Sequence, residues 1–208
     1  QDPALAATLL AAAEQICADN GLSSAHATFI APEQAAWFEA AGWLIRHDIQ
    51  FHWHNRGYAG FEDYLATFTA DKRKKTRRER RRVAEQGIEF RTLAGPELDA
   101  PTLARVHALH ERTFAAHGHE AYLTRECFAA LAARLGERML VTLGLRAGDI
   151  IATAVFFRSD TTLYGRYWGA DGDYHSLHFE ACYYQGIELC LQHRLLHFEP
   201  GTQGEHKL

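Results

Sequence analysis

Cysteine is scarce here and shows no pairing pattern. The 208 residues hold four, Cys17, Cys127, Cys182 and Cys190, with no C-x-x-C motif. That spacing excludes a disulfide-stapled scaffold and suits a reducing, cytoplasmic setting. No apolar run approaches the roughly 20 residues of a membrane helix, and no stretch reads as a signal peptide. The 13 histidines come without H-E-x-x-H or Cys–His spacing, so no metal is expected from motif alone. The first residue is Gln rather than Met, and the chain reads as cut at its front.

What is present is an uneven distribution of charge. The net charge of −4 conceals a run, DKRKKTRRERRRV, in which nine of the eleven residues Lys72–Arg82 are Lys or Arg. Without that run the chain has 13 basic and 25 acidic residues, a balance of −12. An acidic body therefore carries one basic rod. Ahead of the run, Phe61, Tyr64, Leu65 and Phe68 recur at i, i+3, i+4 and i+7, the apolar face of a helix. One helix is expected from Phe61 to Gln86, anchored in its first half and cationic in its second, closing near Gly87. A merely solvated helix would mix signs to gain i,i+4 pairs. The run instead suits an anion: a phosphate, an acidic lipid surface or an acidic partner chain.

Taken in order, Ala4–Asn20 reads as a helix closed by Gly21, Ala25–Ile30 as a strand, and Glu33–Ala41 as a short helix opened by Pro32. Trp43–Asn55 reads as a further strand. Beyond Gly87 come a strand (IEFRTL), helices over Asp99–Ala116 and Thr124–Leu135, and a three-strand meander. Its first two strands, Arg138–Arg146 and Asp149–Arg158, flank a hairpin signal at Ala147-Gly148. A long helix over Ser176–His193 and a short strand at Leu195–Phe198 complete the pattern.

The order strand, helix, helix, three meander strands, helix, strand resembles the GNAT acyltransferase fold, and the front residues resemble the back half of another such domain. The stretches FHWHNRGYAGFEDYL, DKRKKTRRERRRV, YLTR, TLYGRYWGA, LHFEACYYQGIEL and QGEHKL are similar to the bacterial FemAB-like family, of the Fem peptidoglycan aminoacyl-transferase kind. The resemblance runs from Leu22 to Leu208. It implies an α/β (α+β) GNAT-like fold with a mixed central sheet flanked by helices. The expected organisation is residues 1–57 as half of a first domain, 58–87 as a basic connecting helix, and 88–208 as a second domain. Family members are longer at both ends, so the gene is expected to encode more on either side.

The implied activity is transfer of an acyl or aminoacyl group to an amine, with a cell-wall precursor or a small molecule as acceptor. The donor implied is aminoacyl-tRNA or acyl-CoA. Acetyl-CoA-dependent N-acetylation, or a non-catalytic module binding nucleic acid or another anion, are the alternatives. The loop 169–176 lacks the usual GNAT phosphate-cradling pattern, and Asp171 and Asp173 would repel a pyrophosphate, which weighs against CoA and towards tRNA.

Acyl transfer to an amine needs a proton acceptor and donors for the developing oxyanion. Glu180, among Tyr183 and Tyr184, is one candidate base. Glu205 and His206 are others, with Lys207 meeting an anion. Arg73, Lys74, Arg77 and Arg78 are expected to bind the anionic donor or substrate, and Arg166 and Tyr167 to line the cleft. His175 and His178 flank the last long helix and could touch substrate. His52 and His54 share one strand face, yet zinc would want a further ligand that the sequence does not place.

Overall fold

The computed structural model describes residues 2–47 and 49–201. It divides into two compact units, Gln1–Ile49 and Gln50–Leu208. In the first, α1 (Pro3–Asp19) starts on Asp2, whose carboxylate accepts from the Ala4 amide, with Pro in the first turn. A 3-10 turn at Pro32–Gln34 leads into α2 (Ala35–Ala40). The strands expected at Ala25–Ile30 and from Trp43 onward are not formed among the described residues of this unit. Strand-type side chains make no sheet without a neighbouring ladder, and Phe29 and Leu44 are instead 83% and 98% exposed. Only β1 (Trp53–His54) survives from the second expected strand, and it belongs to the other unit. The two compact units meet at residues 49/50.

The second unit runs α3 (Phe61–Ala66), α4 (Ala70–Glu85), β2 (Ile88–Ala94), α5 (Ala100–Ala116), α6 (Arg125–Leu135), β3 (Met139–Arg146), β4 (Asp149–Arg158), β5 (Thr162–Ala170), α7 (Leu177–Phe179), α8 (Gln185–Gln192) and β6 (His197–Glu199). Among the described residues six strands form one sheet in the order β1-β6-β5-β4-β3-β2. The β5–β6 pair is parallel and the others antiparallel. This is the mixed, helix-flanked sheet that the element order implied. Ala147 and Gly148, both at positive φ, turn the β3–β4 hairpin as their sequence signalled.

The sheet has a core on each face. Phe128, Val106, Met139, Val141 and Val155 join it to α5 and α6. Phe61, Leu65, Phe156, Ile187 and Phe198 join it to α3 and α8. Burying a side chain of this size contributes about 1.5–3 kcal/mol, so these two layers hold the fold. The closest approach is α5 on β5, where a Cβ at Gly169 would collide with the Leu109 carbonyl.

Two expected helices are interrupted. The one expected over Phe61–Gln86 breaks between α3 and α4, because Thr69 turns extended and its hydroxyl caps the Lys72 amide. A threonine offers the backbone this competing bond. Arg73 then donates to the carbonyls of Ala66 and Phe68, satisfying groups orphaned at the break. The basic segment is also no free connector: Val83 and Thr76 are buried within this unit. The second interruption is a π turn, Glu180–Tyr184, between α7 and α8.

Candidate anion-binding site

The sixteen residues of α4 separate into two working faces. Thr76, Glu79, Arg80 and Val83 point inward, Thr76 and Val83 fully buried and the other two partly so. Arg80 is the one cation of the run that turns toward the core. Its Nε and Nη2 donate to Glu180 at 3.0–3.2 Å, and Nη1 donates to Glu188 at 2.7 Å. Its guanidinium also lies 4.4 Å from the Phe61 ring centre. Burial works against the Arg80 charge, but the Glu188 and Glu180 carboxylates outweigh it and hold its pKa above the usual range.

The π turn serves this contact. Glu180, Tyr184 and Glu188 are spaced by four residues, and in a regular helix each step would drift about 40° around the axis. The wider turn reduces the drift. All three then reach α4, Glu180 and Glu188 on Arg80 and the Tyr184 hydroxyl on Glu79. Burial, together with the Glu79 carboxylate, raises the Tyr184 pKa. Gln185 donates at 2.9 Å to Glu180 Oε1, the oxygen that Arg80 Nη2 also reaches. Glu180 is 3% exposed, and its oxygens are engaged by Arg80 and Gln185.

The second face of α4 lines a hollow of about 270 Å³ with Ala70, Arg73, Lys74, Arg77 and Arg81. Those positions recur at i, i+3, i+4, i+7 and i+11, one helical stripe. Arg77 is steadied by Glu62, whose pKa that hydrogen bond lowers, and Arg73 by the two carbonyls already named. Lys74 and Arg81 are exposed. Glu79, the one acid inside the basic run, sits on the inward face, and the lining of the hollow carries four cations and no carboxylate of α4.

The sheet offers a second feature. Among the described residues β5 pairs with β6 over Thr162–Tyr164. The β4–β5 register shifts so that Val155 faces Tyr167 and Phe156 faces Gly165, leaving Arg166 as a bulge. Bulges re-aim side chains and interrupt ladders beside sites. Arg166 is exposed, its guanidinium 5.2 Å from the Tyr164 ring centre. Tyr167 turns toward α5 and α6 against His110 and Phe128. Its pKa is pushed up to about 12 by burial and by the Tyr122 hydroxyl.

A protein-family model for peptidoglycan biosynthesis/recognition matches residues 1–208. The chain belongs to the FemAB-like family. No curated protein matches it. Among solved structures, this FemAB-like chain is similar to L-PGS from Bacillus licheniformis, at 12% identity and TM-score 0.53 over 80% of this chain and 49% of that one. A conserved protein of unknown function from Bacteroides thetaiotaomicron matches at 14% identity and TM-score 0.52, over 97% of this chain and 69% of that one. The C-terminal domain assigned to a lysylphosphatidylglycerol synthetase of Agrobacterium fabrum follows at 15% identity and TM-score 0.48, over 83% and 52%. The first two likenesses, with TM-scores above 0.5, speak to fold alone. The FemAB-like chain spans about half the length of two of these three structures.

Of the four basic residues expected to bind an anion, Arg73, Lys74 and Arg77 meet at the hollow and Arg78 lies off its stripe. Arg81 joins them, and the i+4 spacing from Arg77 was the signal for it. Arg166 and Tyr167 diverge rather than lining one wall. Glu205, His206 and Lys207 lie outside the described residues. His175 is exposed and within 3.1 Å of Arg82, and His178 packs on Trp168.

One expectation about the loop after β5 changes. Asp171 does not stand as an uncompensated negative charge: Arg105 and Arg112 each donate to it at 2.7 Å. The Arg105 hydrogen bond holds its pKa below the usual carboxylate range. No helix among the described residues is long and apolar enough to cross a membrane. No group of three or more His, Cys, Asp or Glu among them is arranged to hold a metal ion.

Proposed function

We propose that the protein is an acyltransferase that moves an acyl or aminoacyl group onto an amine, with a cell-wall precursor as acceptor. The hollow on α4 holds the anionic part of the donor. The observation that carries this reading is the division of labour on α4: Arg80 fixes the helix from inside, which leaves Arg73, Lys74, Arg77 and Arg81 facing outward with one acidic partner, Glu62. Such a stripe meets a phosphate-bearing chain, and aminoacyl-tRNA is the donor that this favours.

In the reaction the amine nitrogen attacks the acyl carbonyl, an N–C bond forms, and the acyl–oxygen bond to the donor breaks. The attacking amine loses its proton and the departing hydroxyl gains one. The edge of β5 beyond Tyr164, freed from β6 and bulged at Arg166, supplies backbone N–H groups for the oxyanion. Glu180 is a positioning residue in this account, since Arg80 and Gln185 already occupy it. Proton removal falls to Glu205 or His206.

A second reading, acetyl-CoA-dependent N-acetylation, gains from one observation. The charge of Asp171 is offset by two arginines, so the loop after β5 is less hostile to a pyrophosphate than its sequence suggested.

The test is a tRNA titration by fluorescence anisotropy at several salt concentrations. Four phosphate contacts give a slope of log K against log salt of about −3 to −4. The Arg73→Gln/Lys74→Gln/Arg77→Gln/Arg81→Gln variant is expected to lose both the affinity and the slope. Retained binding in that variant removes the hollow from the account and directs the search to acyl-CoA.

A further inference from the structure

The short β1–β6 pair sits at one edge of the sheet, with Trp53 opposite Phe198 and His54 opposite His197. Phe198 is buried and Trp53 packs against the same core. Alternation along the strands therefore turns His52, His54, His197 and Glu199 to the other face. On that face the Nδ1 atoms of His54 and His197 lie 2.9 Å apart, with the two rings nearly perpendicular. On the next rung His52 Nδ1 is 3.9 Å from a Glu199 oxygen, and Gln50 reaches the other oxygen at 3.5 Å. His52 and His54 are exposed, and His197 and Glu199 are part-exposed, so solvent ions have access.

Two facing Nδ1 atoms can share one proton, as donor and acceptor. The 2.9 Å separation is that of an N–H···N hydrogen bond; with both protons on Nε2 that bond is lost, the two lone pairs repel, and a cation seated beside them relieves the repulsion. The same separation also suits two neighbouring ligands of one ion. Two nitrogens bound at about 2.05 Å to one ion, at a right angle, lie about 2.9 Å apart. A tetrahedral ion would spread them to about 3.3 Å. Imidazole nitrogens at right angles suit tetragonal or octahedral ions such as Cu²⁺ and Ni²⁺.

We propose that His54 and His197 form a two-histidine site for a divalent transition-metal ion, completed by water, with the Glu199 carboxylate adding negative charge beside it. Bound there, the ion staples β1 to β6. The sequence supplied His52 and His54 but gave no sign of their partners, because His197 arrives 143 residues later through strand pairing.

The test uses the whole untagged chain, stripped with EDTA and titrated with CuCl₂, NiCl₂ and ZnCl₂ by calorimetry. One ion per chain is expected, Cu²⁺ binding most tightly. His54→Ala and His197→Ala should each weaken it at least about tenfold, equal to about 1.4 kcal/mol. Glu199→Gln should weaken it less, and His117→Ala/His119→Ala should leave it unchanged. Metal should raise the melting temperature of the wild type and not of His54→Ala, with circular dichroism confirming that the variants fold. Binding that survives in both His54→Ala and His197→Ala, or no binding at millimolar metal, overturns the site.

Discussion

Replacing Glu180 by Gln removes the buried charge that faces Arg80 while keeping the shape of the side chain. Glu180 is 3% exposed and takes two of the three guanidinium nitrogens, leaving Glu188 to hold the third. Breaking a buried pair from one side costs about 3–5 kcal/mol. The surviving Arg80–Glu188 contact and the retained amide oxygen place Glu180→Gln at the lower end, about 3 kcal/mol. For a chain of this size 1 kcal/mol corresponds to about 2–4 °C, so thermal unfolding should fall by about 6–12 °C. Arg80→Met leaves two carboxylates facing each other without their cation and should cost at least as much. The double variant Arg80→Met/Glu180→Leu should recover a large part of the loss, since an apolar pair has no charge to desolvate. Differential scanning calorimetry on wild type, Arg80→Met, Glu180→Leu and the double variant closes the cycle, with Glu180→Gln run beside them. A Glu180→Gln protein melting within about 2 °C of wild type, or a double variant no better than the sum of the singles, would refute the claim that this pair fixes α4.

Further outcomes follow from the same geometry. Gly169→Ala places a methyl group against the Leu109 carbonyl and should destabilise by about 1–3 kcal/mol, read by urea unfolding. His110 is buried with neither ring nitrogen hydrogen-bonded, and burial lowers its pKa. The unfolded chain therefore takes up a proton that the folded one refuses, so stability should fall as pH drops below the ordinary histidine range. His110→Phe should flatten that fall between neutral pH and pH about 5, measured by unfolding at a series of pH values. Asp171, with its lowered pKa, behaves in the carboxylate sense. Its contribution is full at neutral pH and is lost only as pH falls through that lowered value. Asp171→Asn should remove this acid-limb dependence without altering the neutral-to-basic limb.

The sequence conveyed the second unit well because its signals were local. Thr124 caps α6 and Asp99 caps α5, each at the start of the helix expected there, and Ala147-Gly148 turns its hairpin. The front unit was misread because Phe29 and Leu44 carry strand-like side chains with no strand beside them. The basic face was visible as composition, but the inward turn of Arg80 was not. It depends on a π turn about a hundred residues away, for which the pattern LHFEACYYQGIEL offers no marker. The offsetting of Asp171 by Arg105 and Arg112 was hidden for the same reason: loop charge is legible locally, its partners on a distant helix are not.

The central claim is acyl transfer with the donor held at the α4 hollow, and a transfer assay tests it most directly. Labelled aminoacyl-tRNA and labelled acetyl-CoA would each be offered with an amine-bearing cell-wall precursor to the whole chain. The Arg73→Gln/Lys74→Gln/Arg77→Gln/Arg81→Gln variant would be run beside it. The account predicts label moving to the amine from aminoacyl-tRNA in the wild type and a rate lowered at least about a hundredfold, or about 2.7 kcal/mol, in the variant. Absence of transfer from either donor, or a variant as fast as wild type, would contradict it.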